Sequence, residues 1–183
     1  MSRLVSMLLC LAAISGQAER FLTVQEALRV CFPKTEKFEP LALQLTAEDV
    51  KTVERETKQK LRKPEVKLWL AKPEGVLMTD QVIGKHELID YAVAISTNGA
   101  VLQVEILEYR EHYGSQVRQP KWREQFRGKT ARDPLKLGSD VYNITGATLS
   151  CRHVTEGVKK LLAIFDVAVR PRLLAGGGLR DPA

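Results

Sequence analysis

Residues 89–106, Ile-Asp-Tyr-Ala-Val-Ala-Ile-Ser-Thr-Asn-Gly-Ala-Val-Leu-Gln-Val-Glu-Ile, decide the fold. Ile89, Tyr91, Val93 and Ile95 recur at every second position, with Asp90, Ala92, Ala94 and Ser96 between them. A strand turns alternate side chains to opposite faces, so this spacing predicts a strand. Asn98-Gly99 supplies the left-handed backbone that a two-residue hairpin turn demands. The return strand is expected to carry Leu102, Val104 and Ile106 on one face and Gln103 and Glu105 on the other.

Two more strands precede this hairpin. Val66, Leu68 and Leu70 alternate with Glu65, Lys67 and Trp69, and Pro73 with Gly75 then turns the chain. Residues 76–83 return as a strand and lead through Gly84-Lys85-His86-Glu87 into the hairpin. Downstream, residues 108–128 leave the sheet. Pro120 opens a short helix with Trp122 and Phe126 on one face, and Gly128 ends it. Val154, Val158, Leu161, Leu162 and Phe165 then form the apolar stripe of a longer helix. The fold class is α+β: a small antiparallel meander packed against helices, closed by a C-terminal amphipathic helix.

The flanks divide the chain. Residues 1–18 carry Arg3, an apolar run to Ile14 and a small-residue end at Ala18, the pattern of a secretory signal peptide. Residues 19–62 read as a helical lead-in. Thr23 and Glu26 form a capping box for a helix over 23–31, and Thr46 and Asp49 form one for a helix running to about Leu61. Residues 63–166 are the main domain. Residues 167–183, with Gly176, Gly177, Gly178 and Pro182, read as a flexible tail.

A chain of 183 residues, less this leader, has the size of one domain with its own core. The formal charge of +6 suits anionic partners. The cations are spread along the chain, however, and an extracytoplasmic, periplasmic location leaves no role for nucleic acid. After the leader, Cys31 and Cys151 are the cysteines that remain. They either pair in an oxidising compartment or serve as small buried residues.

Residues 144–150, Ile-Thr-Gly-Ala-Thr-Leu-Ser, precede the striped helix. Thr145, Thr148 and Ser150 crowd around Gly146 and Ala147 where free amides would meet solvent. A helix N-terminus of this kind suits a phosphate, and it equally suits a plain Ser or Thr cap. Other chemistries fail on spacing. Gly128-Lys129-Thr130 lacks the first glycine of a P-loop, because Arg123 stands there. No Gly-x-Ser-x-Gly elbow occurs, and Glu105 and Glu108 are a poor acid/base pair on one strand. His86, His112 and His153 show no metal-ligand spacing. The Asn143-Ile144-Thr145 sequon would set a glycan on the phosphate site and is read as coincidence.

Thr145-Gly146-Ala147-Thr148-Leu149-Ser150, with the helix through Arg152, Glu156 and Lys159, resembles the motif of the FMN-binding domain family. That family includes the C subunit of the sodium-pumping quinone reductase and the G subunit of the Rnf complex. The likeness extends over about residues 64–166. It implies FMN joined through a phosphoester to a threonine by a separate flavin transferase. Matched by position, the acceptor is Thr148 and the second choice is Ser150. Thr145, Gly146, Ala147, Leu149 and Arg152 would surround the phosphate, with Tyr109, Tyr113 or Trp122 as a wall for the ring. Many members carry an acidic residue where this chain has Tyr142, and Asp140 is out of register with it. The resemblance implies an electron carrier without its own substrate site, exchanging electrons with a membrane reductase or cytochrome. The alternative is an envelope adaptor that binds FMN without a covalent bond, or binds none.

Overall fold

In the computed structural model, which describes residues 19–175, the elements follow the order β1 (Glu19–Arg20), α1 (Val24–Cys31), β2 (Glu39–Gln44), α2 (Ala47–Thr57), β3 (Glu65–Ala71), β4 (Gly75–Ile83), β5 (Leu88–Ser96) and β6 (Val101–Tyr109). A 3-10 turn (Ser115–Arg118), α3 (Pro120–Glu124) and α4 (Thr148–Ile164) come next. A π turn (Phe165–Val169) and α5 (Arg170–Leu174) are the last elements among the described residues. The strands form one six-stranded antiparallel sheet in the order β1-β6-β5-β4-β3-β2. The expected signal peptide, residues 1–18, lies outside the described residues.

Alternation along β5 places Ile89, Tyr91, Val93 and Ile95 on the face that α4 covers, and Ala92 and Ala94 on the face that α1 covers. Small residues on the second face let α1 approach, with Leu28, Cys31 and Phe32 against Leu77 and Leu107. The larger core lies under α4, where Val154, Val158, Leu161, Leu162 and Phe165 are all buried.

The structure corrects four expectations. Leu102 points to the α1 face, and Val101 joins Val104 and Ile106 under α4. Two register shifts in the β5–β6 pair, opposite Ala94/Ile95 and Asp90/Tyr91, insert extra residues into β6 and reset its alternation. The lead-in over 19–62 is not only helical, since β1 and β2 extend the sheet at its two edges. Both capping boxes are present, but α2 stops at Thr57. Lys58 adopts the left-handed conformation there (φ 60°), and Glu54 reaches forward to accept from the Leu61 amide at 3.0 Å. Finally, residues 167–174 of the expected tail are helical, with Ala168 and Val169 in the core and Arg170 donating to the Asn98 carbonyl at 2.8 Å.

Candidate functional site

The motif forms the N-terminus of α4. A turn precedes it, closed by the Ala147 amide donating to the Ile144 carbonyl at 3.0 Å. Gly146 takes the third place of that turn with φ 84°, a left-handed conformation that favours glycine. The N-cap is Ala147, so neither a serine nor a threonine caps this helix. The Cys151 amide makes the first helical bond, to Ala147 at 2.8 Å. The amides of Thr148, Leu149 and Ser150 therefore donate to no group among the described residues. Uncapped amides at the positive end of a 17-residue helix are chemically suited to an anion.

The two hydroxyls that the motif offers for attachment part company here. Thr148 opens the helix and is exposed, and its Oγ1 accepts from Asn143 Nδ2 at 2.9 Å. Ser150, two residues on, points inward and is only 4% exposed. Its Oγ lies 2.9 Å from the Tyr109 phenol oxygen, which itself donates to the Tyr113 carbonyl at 2.5 Å. A phenol has one proton, so Ser150 is the donor in the first of these bonds. Burial pushes the Tyr109 phenol above its usual 10, so it stays protonated through neutral pH.

The other motif residues take distinct places. Thr145, Gly146, Leu149 and Arg152 are exposed, and Ala147 is buried. Arg152 stands one turn after Thr148 on the same helix face and has no hydrogen-bond or ion-pair partner among the described residues. Tyr109 and Trp122 are core residues at 2% and 1% exposure. The Trp122 ring packs edge-on against Phe126 and donates to the Tyr142 carbonyl at 3.0 Å. Tyr113 is 86% exposed, and Tyr142 and Leu149 are exposed large hydrophobics as well. The sequence reading missed Asn143 as the partner of Thr148, because a hydrogen bond over five residues leaves no periodic trace. The burial of Ser150 did leave a trace, since it stands four residues before Val154, on the striped face.

Tyr142 brings no carboxylate to its position. Its amide donates to Gln125 at 2.8 Å and its phenol to the Lys121 carbonyl at 3.1 Å. Asp140 is occupied nearby, accepting from the Lys136 and Leu135 amides at 2.6 and 2.9 Å and facing Lys129 at 3.5 Å. Burial would raise its carboxyl, but those amides and the lysine outweigh it and hold it below 3.8.

An α+β domain with an uncapped helix start, an exposed hydroxyl and a free cation one turn on has the features of a phosphate-anchoring module. Residues 84–163 match the model of the FMN-binding domain, and that match indicates FMN as the cofactor. The crystal structure of Shewanella oneidensis NqrC resembles it in fold, with a TM-score of 0.56 at 16% identity over 82% of this chain and 89% of that one. No curated protein matches the chain in sequence. The residues present fit the phosphate of FMN: three open amides, glycine at close approach, and Arg152 to balance its charge.

Proposed function

We propose that this chain is an exported electron carrier whose FMN is joined by a phosphoester to Thr148, installed by a separate flavin transferase. The observation that carries this reading is the contrast between an exposed Thr148 hydroxyl beside three open amides and a Ser150 hydroxyl buried against Tyr109. FMN supplies the electron-transfer chemistry when bound, and the protein supplies position. The helix N-terminus and Arg152 would stabilise the remaining phosphodiester charge by about 1 kcal/mol. Tethering keeps the cofactor in a periplasmic compartment, where the redox partners would be a membrane reductase or a cytochrome.

The test is the intact mass of the exported protein made with and without a flavin transferase. Wild type should begin at Glu19 and gain one FMN less one water, mapped to Thr148. Thr148→Ala should stay colourless while folding normally, since exposed substitutions change stability by roughly 0.5 kcal/mol or less. Ser150→Ala should still reach the same final mass. A colourless wild type made beside an active transferase would sink the covalent reading.

The absence of a carboxylate at Tyr142, with Asp140 turned to its own loop, favours a second reading: an adaptor that holds FMN without a covalent bond. Flavin that dissociates on denaturation, with partner binding unchanged in Thr148→Ala, would select it.

A further inference from the structure

The segment after β6 is fastened to the first turn of α4 through one phenol. Tyr109 ends β6, and its oxygen joins the Ser150 hydroxyl to the Tyr113 carbonyl. Gly114 follows with φ 93°, and a Cβ there would stand 2.7 Å from the Tyr109 oxygen and 2.9 Å from Ser150 Oγ. Glycine is therefore needed for both its conformation and its lack of a side chain. The segment is also held at its base. Arg110 makes two bonds to Asp90 at 3.0 and 2.9 Å, and Glu111 accepts from the His86 and Glu87 amides at 2.5 and 2.9 Å. A serine hydroxyl in a first helical turn ordinarily competes for local backbone groups. Here Tyr109 draws that hydroxyl into the core, away from the open amides.

We propose that Tyr109 is a positioning residue for flavin attachment, acting through Ser150 and Tyr113 to hold the start of α4 open beside Thr148. This rests on the reading of Thr148 as the acceptor. Joining free FMN to a hydroxyl would expel water in water, so the donor must be activated, and a flavin dinucleotide is the class that fits. The Thr148 Oγ–P bond forms, the pyrophosphate P–O bond breaks, and the nucleoside monophosphate leaves with the hydroxyl proton. No electrons are transferred in the step. The phenol touches neither the phosphate nor Thr148. It sets the geometry at which Oγ1 and the three amides meet the phosphorus centre.

The test uses purified flavin-free protein, a purified flavin transferase and flavin adenine dinucleotide, reading the rate of covalent fluorescence on denaturing gels. Tyr109→Phe, which keeps the ring but loses the bonds to Ser150 and Tyr113, should take flavin about tenfold more slowly. Ser150→Ala should be slowed alike, and the double variant should be no more than about twofold slower than either, since the two act through one bond. Amide exchange should show the Cys151 amide, bonded to Ala147, and the Val117 amide, bonded to Gly114, losing protection together in Tyr109→Phe. Labelling of Tyr109→Phe at the wild-type rate, with only its melting temperature lowered, would overturn the proposal and leave Thr148 as acceptor. A wild type that takes no flavin would bring down the acceptor and the positioning role together.

Discussion

Glu111 serves the site without reaching it. Its Oε1 gathers the amides of His86 and Glu87, tying the β4–β5 connection to the segment that touches α4. Burial pushes its carboxyl up, but the Glu87, His86 and Lys85 amides outweigh that and hold it below 4.5. A carboxyl whose folded value is depressed adds stability above its unfolded value and loses it as pH falls through the folded one. Glu111→Gln should therefore be less stable than wild type by roughly 1 kcal/mol at pH 7. The gap should begin to narrow near the unfolded value of about 4.3 and go on closing as pH falls through the lower, folded one. Urea unfolding of both proteins at pH 7, 5 and 3.5 measures it, and a gap constant across that range would contradict the assignment. At this scale the sequence was legible where chemistry follows a local motif. Thr148 was found by its place in the Thr-Gly-Ala-Thr-x-Ser motif, and Arg152 by its nearness to that motif on the following helix. Glu111 left no signal, because its partners lie 24 and 25 residues away and are backbone groups.

Helix α4 owes its seat on the sheet to Gly157. A Cβ there would fall 2.5 Å from the Tyr91 oxygen, 2.7 Å from Cζ and 3.0 Å from Val82 Cγ1. The Tyr91 ring is fully buried, and its phenol donates to Asp80 at 3.2 Å while Lys160 holds the same carboxylate at 2.5 Å. The ring thus has nowhere to move. Alanine would gain about 1 kcal/mol of helix propensity over glycine. Overpacking against an immobile ring costs roughly 1–3 kcal/mol or more. Gly157→Ala should consequently be destabilised by about 1–2 kcal/mol in denaturant unfolding, and a stabilised variant would show that the helix can lift. The meander and α4 were readable as elements because each carries a clean period, of two or of 3.6. Strand β2 was not. Pro40 reads as a breaker, and only Leu43 of Glu39–Gln44 is buried, as befits a strand at the sheet edge. The bulges in β6 were hidden for a different reason, since inserted residues conserve composition while changing which face each side chain takes.

Across the whole molecule the sheet separates two cores, and each holds one cysteine. Cys31 lies with α1 on one face, and Cys151 lies under α4 on the other. Both are free, and the sheet between them prevents pairing. Burial, with Glu105 adding to it and Arg123 opposing, pushes the Cys31 thiol up to about 12, and burial likewise raises Cys151. Only a thiolate reacts with an alkylating or disulfide reagent, so both should be inert at pH 8 in the native protein. The pair then reports whether the lead-in folds with the rest. The α1 face is built from residues 22–38 against strands β3 to β6, and the buried Arg123–Glu105 ion pair adds α3 to the same region. A sheet whose strands are shared by both cores should unfold as one cooperative unit. The two thiols should therefore become reactive at the same urea concentration, coincident with loss of circular dichroism, as pulsed thiol labelling with mass mapping would show. Labelling of Cys31 well before Cys151 would mean that α1 detaches on its own, leaving the α4 face and the flavin site as the independently stable part.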